Sequence, residues 1–430
     1  MKLHTKILLG LVLGAVLGVS ANQLLPDAAW VKWLADNVLG PVGQVFLRML
    51  LMTVVPLVFA SLTLGVAGIG DLRKLGRVGA KTLAYFLLST AISATIGLIL
   101  VNAVQPGAGM DPTVRQQLFD SYQSQAQGLQ AGGATKFGIG MFVEMVPRNP
   151  VRAAADMDML GIIFFSIIFG AALTLIPRER AEPMVRLLDA LGEVVIKIID
   201  FAMRFAPYGV FGLIFVVTSR FGWGLLGQLG IYVLVVVSGL LIHALVSISA
   251  MVRFLGGMNP VVFWKKIRPS LITAFSTSSS NATLPTNIAV AEKDLGLAPK
   301  IAGFVLPLGS TMCMNGTALY EGVTVLFLAQ VFGVGLTLGQ QVIVVILSVI
   351  TAVGAAGVPG GSLPLLMIVL GVVGVPPAAI AIILGVDRLL DMCRTTVNVG
   401  GDMSAAVYVA RSESLAEARA AARAALATPT

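Results

Sequence analysis

The sequence predicts an all-α polytopic membrane protein with eight transmembrane helices, two re-entrant helical hairpins and an inverted repeat. Three observations carry this. First, 57% of the 430 residues are hydrophobic and only 12% are charged, with a mean hydropathy of +0.92. That charge share is about half the ~25% of an ordinary soluble domain, too little to cover a soluble surface. Second, many apolar runs are long enough to cross ~30 Å of hydrocarbon. Third, two further apolar runs are broken at their centres by Ser, Gly and Pro. The composition excludes a disordered chain, a secreted disulfide scaffold and a soluble nucleic-acid binder.

The spans are expected at about 7–22, 43–68, 83–104, 159–176, 192–218, 229–252, 300–333 and 375–409. Several exceed the minimum length, so tilt is expected. The first competes with a cleaved signal peptide, since residues 1–6 are basic and Val19-Ser20-Ala21 resembles a cleavage site. A retained helix is favoured, because the remaining topology requires it. With the N-terminus inside, Lys2, Lys6, Arg73, Lys74, Arg77, Lys81, Lys265, Lys266 and Arg411 fall on the cytoplasmic side, with most other loop Lys and Arg. Fewer, among them Lys32, Arg115, Lys136 and Arg220, fall outside. This bias puts both termini in the cytoplasm. The long polar stretch 106–158 is then external, and the Ala/Arg/Glu tail from Ser412 extends the last helix.

The formal charge of +8 follows from this loop distribution and indicates no nucleic-acid partner. Cys313 and Cys393 sit in apolar segments and read as buried, unpaired thiols. His4 and His243 cannot build a zinc site, and His243 is expected to make a local hydrogen bond inside a membrane helix.

The broken segments are 270–290, centred on TAFSTSSSNATLPTN, and 342–370, centred on TAVGAAGVPGGSLP. Irregular backbone at membrane depth persists only where protein or a wet cavity satisfies it. Each broken segment is followed by a long helix, and the two enter from opposite sides, the pattern of an inverted repeat around a mid-membrane site. Half-helix N-termini there favour an anionic ligand.

The last span reads GVDRLLDMCRTTVNVGGDMSAA. At ~100° per residue, Asp387, Asp391, Arg394, Asn398 and Asp402 share an arc of ~80°. An ionised side chain at mid-membrane costs about 2.5–3.5 kcal/mol on the insertion scale. These groups therefore face a polar interior. An ion-pair ladder accounts for Arg394 with Asp387 or Asp391, but not for the excess acid or for Thr395 and Asn398. Excess acid calls for cations, and a guanidinium among acids is a fork for a carboxylate. The preceding span reads LPLGSTMCMNGTALYEG, where Gly309 and Gly316 suggest local unwinding, and Asn315 and Thr317 add oxygen ligands.

On these residues the chain resembles the dicarboxylate/amino acid:cation symporter family, of the glutamate transporter type. The resemblance covers nearly the whole chain. It rests on Pro56-Leu57-Val58-Phe59, the serine-rich stretch 277–285, the block 307–322, Gly357-Val358-Pro359-Gly360 and the face from Asp387 to Asp402. It implies a homotrimeric elevator-type transporter of a bacterial or archaeal inner membrane, embedded in lipid, that is neither an enzyme nor dependent on an organic cofactor. Residues 1–70 and 130–222 would form a trimerisation scaffold (helices 1, 2, 4 and 5). Residues 71–129 and 223–430 would form a mobile domain with hairpins at about 258–292 and 338–373, the second being the outer gate.

By motif position, the resemblance implies that Arg394 grips the substrate's side-chain carboxylate and Asp391 its ammonium. Asn398 and the segment Ser279–Ser280 would hold the α-carboxylate, while Thr317, Thr395 and Gly360 complete the pocket. Because both Arg394 and Asp391 are present, aspartate or glutamate is the expected substrate. A C4-dicarboxylate is the alternative and an anion-conducting, channel-like member a second. An intramembrane enzyme is disfavoured, since Ser278–Ser280 have no evident base. Coupling is expected from Na+, H+ or both, with Asp402, Asn398, Gly309, Thr311, Asn315, Ser89 and Thr90 as sodium ligands. Two departures bear on this. The family's Asn-Met-Asp is here Cys313-Met314-Asn315, which substitutes a soft thiol and removes a charge from a hard-cation site. Sodium coupling is therefore expected to be reduced or replaced by protons. Ser278 stands where some members carry an Arg, and Arg388 on the last helix is the nearest other basic residue.

Overall fold

The computed structural model describes the chain except residues 1–2, 26–27, 75–76, 110–145, 157–158, 354, 356, 358 and 428–430. Most of the expected external loop, Arg115 and Lys136 among it, and Val358 of the second tip lie outside the described residues. Among the described residues the fold is entirely helical, without a strand. Among the described residues, five helical stretches are long and apolar enough to cross a membrane: Thr5–Leu24, Arg77–Val104, Arg178–Arg220, Leu226–Phe254 and Pro299–Phe332.

Helix α1 (Leu3–Leu24) lies along the middle of α8 (Arg178–Ile242). Gly10, Gly14 and Gly18 make this approach possible: a Cβ on any of them would come within 3 Å of the backbone of Pro207, Phe211 or Phe215. Small residues four apart let membrane helices touch backbone to backbone. The short α2 (Ala29–Leu34) and a π turn (Ala35–Leu39) lead into α3 (Gly40–Leu51). After a break at Met52 and Thr53 comes α4 (Val54–Lys74), so the expected span 43–68 is two helices. α5 (Arg77–Val104) buries its hydroxyl face, Thr82, Ser89, Thr90 and Ser93. α6 (Pro150–Ala155) starts where the Asn149 side chain accepts from the N–H groups of Val151 and Arg152, a side-chain cap. α7 (Met159–Leu173) packs on α4, joined by stacked Phe59 and Phe165.

Where a loop was expected between 218 and 229, the chain is helical throughout, from Arg178 to Ile242, and a π turn (His243–Ile248) and α9 (Ser249–Phe254) continue it. The intervening SRFGWGLLGQ has no proline or run of turn-forming residues to stop a helix. His243 departs from its expected role. It is fully buried, and neither ring nitrogen has a hydrogen-bond partner. The carbonyls of the preceding turn, at Gly239 and Leu240, already take its backbone N–H.

α10 (Pro260–Lys266), α11 (Arg268–Thr277) and α12 (Ser280–Lys293) form the first interrupted segment. Its tip is Ser278 and Ser279. α13 (Pro299–Met312) and α14 (Asn315–Phe332) are one span broken at Cys313 and Met314. Every residue of α14 except Gln330 is buried, so the bundle wraps this helix in protein. α15 (Leu338–Val353) and α16 (Leu363–Val372) flank the second interruption. A 3-10 turn (Pro377–Ile382) precedes α17 (Leu384–Ala427), which packs against α5, α11, α13 and α14. Cys313 and Cys393 are free thiols; Cys313 is buried, whereas Cys393, expected to be buried, is only half-buried.

Candidate functional site

The two interruptions meet. Ser279 Oγ donates to the Gly357 carbonyl at 2.6 Å, and the Asn281 N–H reaches the same oxygen at 3.1 Å. Ser279 also caps α12 by accepting from the Ala282 N–H. Its hydroxyl is thus spent on joining the tips. Beneath them lies a pocket with ≈ 250 Å³ of empty space, mouth included, lined by Ser278, Ser280, Met314, Thr317, Ala355, Gly357, Ser362, Asp391, Arg394, Thr395 and Asn398. Six of the eight substrate-contact residues expected from sequence stand in this wall. Ser279 and Gly360 are outside the lining, but Ser279 sits between Ser278 and Ser280 in the chain and the Gly360 N–H donates to Asp391.

Arg394 is 2% exposed, yet fully engaged on one edge. Nη1 donates to Asp387 Oδ1 at 3.0 Å, and Nε and Nη2 reach Asp391 Oδ1 at 3.1 and 3.0 Å. The Tyr320 ring lies 4.3 Å from the guanidinium carbon, and its hydroxyl donates to Asp387 Oδ1 at 2.7 Å. These contacts fix the plane of the guanidinium. A guanidinium has five N–H groups; with Nε and one Nη1 hydrogen engaged, each terminal nitrogen still has a hydrogen to donate. That pair matches the two oxygens of a carboxylate.

Asn398 is equally constrained. Its Oδ1 accepts from the Gly316 N–H at 2.7 Å, and its Nδ2 donates to Thr317 Oγ1 at 3.2 Å. Gly316 and Gly309 are helical, and the chain unwinds between them instead, at Cys313 and Met314. The glycines serve close approach. A Cβ on Gly316 would meet the Arg394 backbone, and one on Gly309 the Asp402 carboxylate, both well under 3 Å.

Two hydroxyls on the pocket wall, Ser278 Oγ and Ser362 Oγ, are buried without a partner. Ser278 also holds the left-handed conformation, φ +51°, rare for a residue with a side chain. Both are free to meet a ligand's acceptors. Sequence reasoning named their neighbours Ser279 and Ser280; only the tip geometry separates the hydroxyl that locks the tips from those left open.

The chain matches the sodium:dicarboxylate symporter family over residues 3–412. It belongs to that family. It is 38% identical to the proton/glutamate-aspartate symporter of Escherichia coli over 410 residues, 95% of this chain and 92% of the relative. It is 36% identical to a proton/sodium-glutamate symport protein of Bacillus caldotenax over 409 residues, 95% and 94% of the two chains. A C4-dicarboxylate transport protein of Rhizobium johnstonii is 34% identical over 378 residues, 87% of this chain and 83% of the relative. Family membership and the long apolar helices make this an integral membrane protein.

Whether this family member's oxygen ligands suit a cation can be read group by group. Ser89, Thr90, Cys313 and Asn315 come together as a closed, neutral cluster. Thr90 Oγ1 donates to Asn315 Oδ1 at 2.8 Å, Asn315 Nδ2 donates to Ser89 Oγ at 2.9 Å, and the Cys313 thiol lies 3.7 Å from Asn315 Oδ1. The amide already satisfies the hydroxyls, none of these four side chains is charged, and the thiol, which faces Asp402, is soft. This set does not fit sodium. Asp402 is different. It is fully buried, and beyond the adjacent Cys313 thiol neither carboxylate oxygen has a partner. A dry carboxylate without a counter-charge needs a cation or a proton. Thr311 is not brought to it: that residue is exposed, and its hydroxyl donates to the Leu308 carbonyl.

Sequence reasoning passed over Glu321, although its place in an apolar run carried the same signal as the acids of α17. Glu321 is fully buried; Oε2 accepts from Thr351 Oγ1 at 2.7 Å, and Oε1 has no partner. Its partner lies on α15, just before the second interruption.

Proposed function

We propose that the protein is a secondary active symporter that imports an acidic amino acid, aspartate or glutamate, across a bacterial or archaeal inner membrane. The observation that carries this is a buried guanidinium and a buried carboxylate side by side in one pocket wall. An acidic amino acid presents two carboxylates and one ammonium. Arg394 supplies a fork for one carboxylate, and Asp391 a partner for the ammonium. Asn398, Thr317, Thr395 and the open hydroxyls of Ser278 and Ser362 complete the polar lining, with Ser280 at the start of α12. The relatives named for glutamate and aspartate support this reading. A C4-dicarboxylate is the second reading. It is favoured by the Rhizobium relative and by a second guanidinium, Arg388, held against Asp391 at 3.5 Å.

Coupling rests on Asp402 and Glu321, two buried carboxyls with unpartnered oxygens. Asp402 takes one sodium ion or a proton, and Glu321 takes a proton. The cluster around Asn315 takes none. Sodium dependence is accordingly shallow, in keeping with relatives named for protons or for protons and sodium together.

The resemblance supports the larger arrangement: a homotrimer with eight crossings and cytoplasmic termini, in which a scaffold (1–70 and 130–222) holds a mobile domain (71–129 and 223–430) that moves as an elevator. In this arrangement the second hairpin, at about 338–373, is the outer gate that admits substrate. Uptake of labelled aspartate into proteoliposomes, with sodium and proton gradients imposed separately, tests the function. Competition by aspartate that exceeds competition by succinate or serine supports the amino acid. Stronger competition by succinate transfers the assignment to dicarboxylates.

A further inference from the structure

Both oxygens of Asp391 are occupied. Oδ1 takes Arg394. Oδ2 takes the Gly360 N–H of the second tip at 3.1 Å and Arg388 Nη1 at 3.5 Å. Arg388 stands outside the pocket lining, 8% exposed, and its Nε has no hydrogen-bond partner. A buried guanidinium with a free donor and one long ion pair is under-satisfied for a purely structural group. Its remaining function is therefore sought in its charge.

The charges balance with Arg388 and not without it. Asp387 and Asp391 face Arg394 and Arg388, two acids against two cations. Without Arg388 the buried cluster carries one excess negative charge. An acidic amino acid brings an ammonium that offsets this excess. A dicarboxylate brings no cation, and its own charge adds to the excess. A buried charge left without its partner is strongly unfavourable.

We propose that Arg388 is a specificity-determining positioning residue, acting through Asp391. It is the counter-ion that keeps Asp391 satisfied when the ligand has no ammonium, and so keeps the pocket open to C4-dicarboxylates as well as acidic amino acids. When an ammonium arrives, it takes Oδ2 from the Gly360 N–H and the long Arg388 contact, the weakest bonds on the carboxylate. This rests on the acidic-solute reading of the site given above.

The test is competition against labelled aspartate in proteoliposomes, by unlabelled aspartate and by succinate, for the wild type, Arg388→Gln and Arg388→Lys. The readout is the ratio of the two inhibition constants, which a general loss of packing lowers or raises together and leaves unmoved. Arg388→Gln is expected to shift the ratio at least tenfold against succinate, and Arg388→Lys to return most of it. Should Arg388→Gln not fold, Asp391→Asn on the wild-type background, read with labelled succinate as the tracer, supplies the converse. It leaves Arg388 uncompensated and is expected to shift the ratio at least tenfold toward succinate. In an Asp391→Asn background, Arg388→Gln is expected to abolish that gain. A ratio within twofold of wild type in Arg388→Gln overturns the proposal, as does an unmoved ratio in Asp391→Asn where that is the variant that folds. A wild type that takes up aspartate but responds to succinate no better than to serine, with Arg388 present, also overturns it while leaving the amino acid reading intact. Failure of the wild type to bind either solute overturns the acidic-solute reading itself, and this proposal with it.

Discussion

Replacing Asn315 by Asp is expected to turn a closed cluster into a sodium-sensitive one. The amide now gives two well-placed bonds, 2.9 Å to Ser89 and 2.8 Å from Thr90. A carboxylate keeps the Thr90 bond. Ser89 must turn its hydroxyl from acceptor to donor, which a free rotor allows. The variant then has two hydrogen bonds to a charged group, worth about 1.5–3 kcal/mol each. Against this stands the cost of a buried, unpaired ion, several kcal/mol after relaxation. Asp402 adds to that cost, because it is the neighbour of Gly401, against which the Asn315 amide packs. Without sodium the variant is therefore less stable than the wild type by a few kcal/mol.

Sodium reverses the deficit. An ion that binds only the folded state stabilises it by about 2.7 kcal/mol at a hundred times its dissociation constant, which is several degrees of Tm. The assay is thermal unfolding of purified protein in detergent. Sodium chloride is exchanged for choline chloride at constant ionic strength, so that screening does not contribute. The wild type is expected to respond weakly, through Asp402 alone. Asn315→Asp is expected to start lower and climb with sodium. Two outcomes refute the reasoning: a variant whose Tm ignores sodium, or a wild type with the steep, cooperative sodium dependence of a three-sodium carrier.

Arg394→Lys keeps the charge but gives up the planar fork and the stacking on Tyr320; aspartate affinity in the competition assay is expected to fall about a hundredfold, with the protein still folded. Glu321→Gln keeps a partner for Thr351 and removes the acid, so uptake driven by a proton gradient is expected to collapse while exchange of internal for external aspartate persists; undiminished proton-driven uptake argues against Glu321 as a proton carrier. Where α5 begins, Arg77 and Lys81 hydrogen-bond Glu413 at 2.7 and 2.9 Å and hold its carboxyl down to about 2. A depressed carboxyl stabilises the fold above its ordinary range and loses that contribution as pH falls toward the folded value. Glu413→Gln is thus expected to lower Tm slightly at neutral pH, less so in high salt, and the difference from wild type should close as pH falls through about 2.

What the sequence disclosed and what it withheld follow from the range of the interactions concerned. The face from Asp387 to Asp402 was legible because helical periodicity and the cost of charge in lipid are local and strong. The break in the span before it was legible as an event but not as a position. Gly309 and Gly316 look like helix breakers in one dimension, yet each is helical and small because Asp402 or Arg394 lies against it. Close approach between distant segments leaves no periodic trace. The same holds for the hydroxyls. Ser278, Ser279 and Ser280 are adjacent and chemically alike, and only the Gly357 carbonyl, 78 residues from Ser279, decides which of them is consumed.

The missing loop between 218 and 229 is the opposite case, a local signal of scattered glycines too weak to stop the helix. Asn315 joins these lines. Its identity marked a departure from the family pattern, but neutrality alone left two outcomes open, a weakened cation site or none. The hydrogen bonds to Ser89 and Thr90 support the second. An amide that both donates and accepts within one cluster leaves no hydroxyl in need of a cation. The charge that still calls for one is Asp402.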